Sequence, residues 1–386
     1  MTGRSSLAWR HAVMAFGCAV MLASAGGALA QETAEQKGGG QASPAGEQMI
    51  PASRIPFFAD WAKSPHARAD AEAFNHWNKD GKIPVQCAGC HSTPGFLDFV
   101  GADGSARGKV DKEAATGTLI YCSACHNEMT RELTAVTFPS GLRVEDLGAN
   151  ARCMTCHQGR AAGSDVDKAV AGMDRDKVSP KLEFINVHYR AAGATLMGSL
   201  ARGAYEYDGK SYASRRRHPE PFNQCTGCHE LHTVAPKVGE CAACHKQVTD
   251  ADSLRAIRES RIDHDGDGDV GEGIAREVDQ LNARLLVGIK AYARTVAGKA
   301  IAYDAKAFPY FFNDANGNGV ADADEAKVPN KYNAWTPRLL KAAYNYQFVA
   351  KDPGAYAHNP AYVLQILHDS LEDIGAGNGL GPVTRP

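Results

Sequence analysis

Three things are scarce in this chain of 386 residues. After position 30 no apolar run approaches the about 20 residues a bilayer-crossing helix needs, strongly alternating strand patterns are few, and neither sign of charge dominates, since 42 Lys and Arg stand against 44 Asp and Glu. The first scarcity leaves no candidate span in the mature chain, and the second leaves little β structure to expect. The third gives no reason to look for nucleic acid or an anionic membrane surface as partner. Residues 1–30 are a different matter: Arg4, Arg10 and His11 precede an apolar run over 12–25 that closes on Ala28-Leu29-Ala30. This is the pattern of a secretory signal peptide cut after Ala30, and it implies an exported protein, periplasmic or on the cell's outer surface. Residues 31–50, with Gly38-Gly39-Gly40 among scattered Gln, Glu, Ser and Pro, have no apolar period and read as a flexible leader.

Cysteine outside one motif is scarcest of all. Ten of the eleven fall in five CxxCH strings: Cys87-Ala-Gly-Cys90-His91, Cys122-Ser-Ala-Cys125-His126, Cys153-Met-Thr-Cys156-His157, Cys225-Thr-Gly-Cys228-His229 and Cys241-Ala-Ala-Cys244-His245. The remaining one, Cys18, lies in the leader, where Ala15-Phe16-Gly17 makes a poor lipidation signal. Two residues between cysteines put both thiols on one side of a helical turn, suited to two thioethers on one porphyrin, and the next residue then meets the iron axially. Zinc knuckles combine two pairs per metal and have no use for a histidine after every second cysteine. Disulfides within CxxC pairs would close small strained rings and leave the histidines without a role. The motifs therefore imply five covalent c-type haems, with His91, His126, His157, His229 and His245 as proximal ligands.

The motif starts are separated by 35, 31, 72 and 16 residues, spacings short enough to make neighbouring haems close. Such a haem is closed for electron transfer when a second histidine takes the other axial position, and open to substrate when none does. Of the 14 histidines, His66 and His76 before the first motif, His188 and His218 in the long gap, His232 just after His229, and His358 near the end are candidates for that position. His232 is too near His229 in sequence to serve the same iron. His264 and His368 read as structural. With 39 glycines and 18 prolines, the region over 51–250 should be short helices and loops around the cofactors, which are expected to supply much of the apolar core; the apoprotein should then not fold.

Residues 251–386 change character. Ile274, Val278, Leu281, Leu285, Ile289, Tyr292 and Val296 recur with helical period between Glu272 and Gly298, Thr336-Pro337 opens a second helix toward Pro353-Gly354, and Asn359-Pro360 opens a third toward Gly375. Two acidic loops flank the first. Asp263, Asp265, Asp267 and Asp269, with Gly268, follow the opening of a calcium loop but meet Ile274 where glutamate should stand, with Glu272 or Glu277 as substitutes. Asp314, Asn316, Asn318, Asp322 and Glu325 fit the ligand register of a second loop. Both predict structural Ca2+.

On its five motifs and histidine-rich context the chain resembles the multihaem c-type cytochromes over roughly 87–245. Arg152-Cys153-Met154-Thr155-Cys156-His157-Gln158-Gly159-Arg160 and Trp335-Thr336-Pro337-Arg338-Leu339-Leu340 are similar to members with a helical C-terminal region bearing calcium-type loops. The resemblance implies a mainly α, loop-rich, haem-organised fold with little β and a C-terminal helical layer, bis-histidine ligation of most haems, and electron transfer between a redox donor and acceptor. It leaves oligomer or filament formation open. The competing reading is an oxidoreductase with one open haem acting on a small nitrogen or sulfur species, near Tyr344, Tyr346 and Tyr356. Pentahaem nitrite reductases carry a lysine-terminated motif at the catalytic haem, and no CxxCK occurs here.

Overall fold

In the computed structural model, which describes residues 54–375 and 383–386, helices of the first two thirds are short because each CxxCH string fills only a turn or two. The leader segments 1–30 and 31–50, Cys18 included, lie outside the described residues. Motif helices are α1 (Val85–His91), followed at once by α2 (Thr93–Val100), then α3 (Cys122–Cys125), α4 (Asn150–Met154), α6 (Cys225–Cys228) and α7 (Val238–Ala242), with α5 (Ala192–Met197) lying between α4 and α6. Among the described residues the strands form three antiparallel pairs: β1 (Lys82–Ile83) with β2 (Ala114–Ala115), β3 (Val136–Thr137) with β4 (Arg143–Val144), and β5 (Ile301–Tyr303) with β6 (Phe311–Asn313).

The turn from α1 into α2 shows how local chemistry sets the motif. Ser92 caps α2 by accepting from the Gly95 amide at 3.0 Å, and Pro94 sits where a helix has no use for an N–H. Gly95 is required by packing, since a Cβ there would run into the Ala88 carbonyl of α1. The two helices are thus held tightly enough to fix Cys87 and Cys90.

The C-terminal part holds α8 (Ile274–Thr295), α9 (Pro337–Ala350), α10 (Ala355–His358) and α11 (Pro360–Asp373). The Thr336 hydroxyl accepts from Leu339 N at 3.1 Å and the Asn359 side chain from Tyr362 N at 3.2 Å, so both expected caps form ahead of a proline. α8 starts later than the periodicity predicts, because Glu272 and Gly273 belong to the acidic loop before it. One face of α8 buries Val278, Leu281, Leu285, Ile289 and Tyr292 against α9 and α11, each aliphatic side chain contributing roughly 1.5–3 kcal/mol.

The largest apolar cluster is continuous from Phe138, Met154, Val187 and Met197 through Leu285, Trp335, Leu340, Tyr344 and Leu367, with α8, α9 and α11 contributing much of it. By contrast α6 and α7, which carry the last two motifs, contain no buried residue.

Side chains of α9 reach out of this core and set the course of the segments on either side of α5. The Asn345 amide accepts from Tyr205 N at 2.7 Å and donates to Tyr205 O at 2.9 Å, and Gln347 Oε1 accepts from Val187 N at 3.1 Å. Through Val187 the helix positions His188.

Candidate functional site

Three of the five motif histidines face a histidine from a distant part of the chain. His66 and His157 have ring centroids 6.1 Å apart, His91 and His188 5.8 Å, and His126 and His232 6.3 Å. Two imidazole nitrogens each about 2 Å from one metal, with about 1 Å more to each ring centre, would place the centroids roughly 6 Å apart. The donor sets therefore fit an iron held between two imidazoles, with paired thiols on the adjoining helical turn for attachment. The rings are also prepared as neutral ligands. Burial pulls His157 down to about 4, helped by the nearby His66, and pulls His188 to about 4 with help from His91, Arg160 and Lys351. His66 and His91 are lowered by burial as well.

Backbone carbonyls orient two of the motif histidines through Nδ1, which would leave Nε2 for a metal. His91 Nδ1 lies 2.8 Å from the Ala73 carbonyl and His229 Nδ1 3.0 Å from that of Val234. Trp77 packs edge-on against His91 at 5.2 Å, and Phe57 stacks on His232 at 4.5 Å and 8° from parallel. These supporting residues carry no motif and were not legible in the sequence. His76, from the same stretch as His66, is exposed and held by Glu72 at 2.7 Å, with its ring against Trp77. Among the described residues no histidine ring is paired at such a distance with His229 or His245; His218 and His245 both lie in the field of Glu259.

Cysteines of different motifs meet across the molecule. Cys90 faces Cys156 closely enough for each thiol to perturb the other's ionisation, and Cys90 Sγ and Cys156 Sγ lie 3.9 and 3.8 Å from the Thr155 and Gly89 carbonyls. Cys153 faces Cys225 in the same way, with Cys225 N donating to Asn150 Oδ1 at 2.8 Å. Cys125 lies near Cys153, and Cys228 near Cys241. All ten described cysteines, Cys87, Cys122 and Cys244 included, are free of disulfides.

Comparison with known proteins agrees with this geometry. Residues 72–158 match the family described as cytochrome c7 and related cytochrome c. The C-type polyheme cytochrome OmcB of Geobacter sulfurreducens is 30% identical over 371 residues, covering 80% of this chain and 46% of that protein. The C-type polyheme cytochrome OmcC of the same organism is 27% identical over 383 residues, covering 82% and 46%. The chain is similar to the multihaem c-type cytochromes. The chain spans less than half the length of these relatives, and no solved structure matches it.

Two further groups of candidate residues are not part of these ring pairs. His358, at the end of α10, has Nδ1 bound to both carboxylate oxygens of Asp352 at 3.0 and 2.9 Å. Burial opposes a charge on it, but Asp352 outweighs that cost and lifts its pKa. The acidic loops sit at opposite ends of α8. Asp263, Asp265 and Asp267 each bring a carboxylate oxygen within 4.8 Å of the others. Asp269 is exposed and turned to Gly271 N at 2.8 Å. In the second loop Asp322 Oδ2 gathers the amides of Asn316 and Asn318 at 2.8 and 2.9 Å, and Asp314 and Glu325 are buried. His264, expected to be structural, uses both ring nitrogens on Thr384 O and Ser260 Oγ. Among the described residues no helix is long and apolar enough to cross a membrane.

Proposed function

We propose that this cytochrome is an exported electron carrier, periplasmic or extracellular, that moves single electrons along five covalent haems between a redox donor and an acceptor. The observation that carries this reading is the pairing of His66 with His157, His91 with His188 and His126 with His232 at 5.8 to 6.3 Å. A haem held between two such imidazoles would supply one-electron chemistry and leave no open position for substrate. The chain's own residues do the rest. Cys87 and Cys90, Cys122 and Cys125, Cys153 and Cys156, Cys225 and Cys228, and Cys241 and Cys244 fix the macrocycles, and His91, His126, His157, His229 and His245 hold the proximal positions. His66, His188 and His232 would supply the second imidazole at three sites, and His218, on which the charge of His245 acts, would do so for His245.

Cysteine contacts support an order for the sites. The first motif meets the third through Cys90 and Cys156, the third meets the fourth through Cys153 and Cys225, and the fourth meets the fifth through Cys228 and Cys241. The second joins at Cys125 beside Cys153, so the third motif is a junction rather than one step in a line. Low-temperature EPR of the oxidised protein tests the assignment. Low-spin ferric signals from every site support a carrier; a high-spin signal that shifts with nitrite, sulfite or hydroxylamine would replace it with an enzyme.

A further inference from the structure

We infer that the two acidic loops at the ends of α8 each bind one Ca2+, the first through Asp263, Asp265, Asp267 and Glu272, the second through Asp314, Asn316, Asn318 and Glu325. The inference does not depend on the haem reading, because the ion is counted per chain whatever the haem content.

The first loop carries more buried negative charge than its neighbours neutralise. Asp265 is 0% exposed, and its Oδ2 has no hydrogen-bond partner, although its carboxylate belongs to the cluster with Asp263 and Asp267. The Glu272 side chain is 6% exposed, and its Oε1 is likewise unpartnered. A buried carboxylate oxygen without donor or cation is costly. The basic groups nearby do not relieve it: Arg284 donates to the backbone carbonyl of Asp265, not to its carboxylate. Arg276 takes only the other oxygen of Glu272, while Arg258 is occupied by Glu277. Glu277 is itself saturated, since its second oxygen accepts from His264 N at 2.6 Å. Of the two glutamates that could complete this loop, Glu272 is thus the one with an oxygen to give.

The second loop repeats the pattern with different residues. The Asp314 side chain is 0% exposed with Oδ1 unpartnered, and Glu325 is 5% exposed with Oε2 unpartnered. Their other oxygens are engaged: Asp314 Oδ2 accepts from Gly319 N at 2.9 Å, and Glu325 Oε1 from Ala315 N at 2.8 Å. Hard carboxylate and amide oxygens in this number suit Ca2+ better than a transition metal. Both loops are fastened to α8, the first by Arg284 and Gln280 and the second by Lys290 and Arg294. Two ions would therefore hold both ends of the longest helix in the core.

The test is Ca2+ binding to the full haem-loaded protein after chelator dialysis, followed by isothermal titration and by metal analysis per chain. Two equivalents are expected, with dissociation constants on the order of 10⁻⁴ to 10⁻³ M as in extracellular calcium modules, and a rise in melting temperature with Ca2+. D265N should lose one equivalent, E325Q the other. In chelator D265N should melt higher than the natural protein, because it removes an unpaired buried charge, and in Ca2+ lower. Failure to bind stoichiometrically at millimolar Ca2+, equal binding of Mg2+, or two equivalents retained in both variants would overturn the inference. So would a D265N melting temperature that is lowered equally with and without Ca2+.

Discussion

The imidazoles of His66 and His157 face each other at 6.1 Å with planes 42° apart, although two complete CxxCH motifs separate them in the chain. His66 comes from the loop region before the first motif and His157 closes the third, so the pair ties the start of the described chain to its centre. Removing His66 should leave attachment through Cys153 and Cys156 intact and open one axial position. The reduced H66A protein is therefore expected to bind a single equivalent of carbon monoxide that the natural protein does not, read from its optical spectrum. An unchanged spectrum would mean that His66 is not an iron ligand.

Gln347 acts at a distance from any motif. It is fully buried on α9 and its Oε1 holds Val187 N, one residue before His188. Gln347→Leu removes that acceptor and orphans a buried amide, at a cost of about 1–3 kcal/mol. The expected result is a lower denaturation midpoint together with a changed potential for one haem only. A stability loss with all potentials unchanged would show that Gln347 supports the core but not His188.

The Cys87 and Cys90 pair gives a prediction about attachment. Replacing both with serine should lower the mass of the mature protein by one haem while the other four remain, because each macrocycle is fixed by its own motif. Loss of several haems together would show that the contact between Cys90 and Cys156 makes attachment cooperative.

Asp369 links the fold to pH. It is 2% exposed; burial pushes its pKa up, but hydrogen bonds from His368, Arg385 and Tyr212 outweigh this and hold it at about 2. The unfolded value is about 3.9, so its folded pKa is depressed and its contribution is full above that value and lost as pH falls through about 2. A shift of this size corresponds to roughly 2–3 kcal/mol. Asp369→Asn should accordingly be destabilised at pH 7 and approach the natural protein near pH 2, measured by denaturant unfolding at both pH values.

Much of the helical layer was legible because its signals are local. Thr336-Pro337 and Asn359-Pro360 cap α9 and α11 where the sequence places them, and the period from Val278 to Tyr292 marks the buried face of α8. The CxxCH strings were legible for the same reason. Histidine pairing was not, since it depends on which distant segments pack together. His66 and His76 have similar sequence surroundings, yet one faces His157 and the other is held at the surface by Glu72. Glu272 was named as a substitute in the first acidic loop, but only burial and hydrogen bonding distinguish it from Glu277, which Arg258 and the His264 amide already occupy.

The central claim is that five macrocycles are bound through thioethers to this chain, and the intact mass of the exported protein tests it most directly. After acid extraction of loosely held cofactor, the mass should equal the polypeptide from Gln31 onward plus five haems. A mass matching bare polypeptide, or fewer than five additions, would contradict the account.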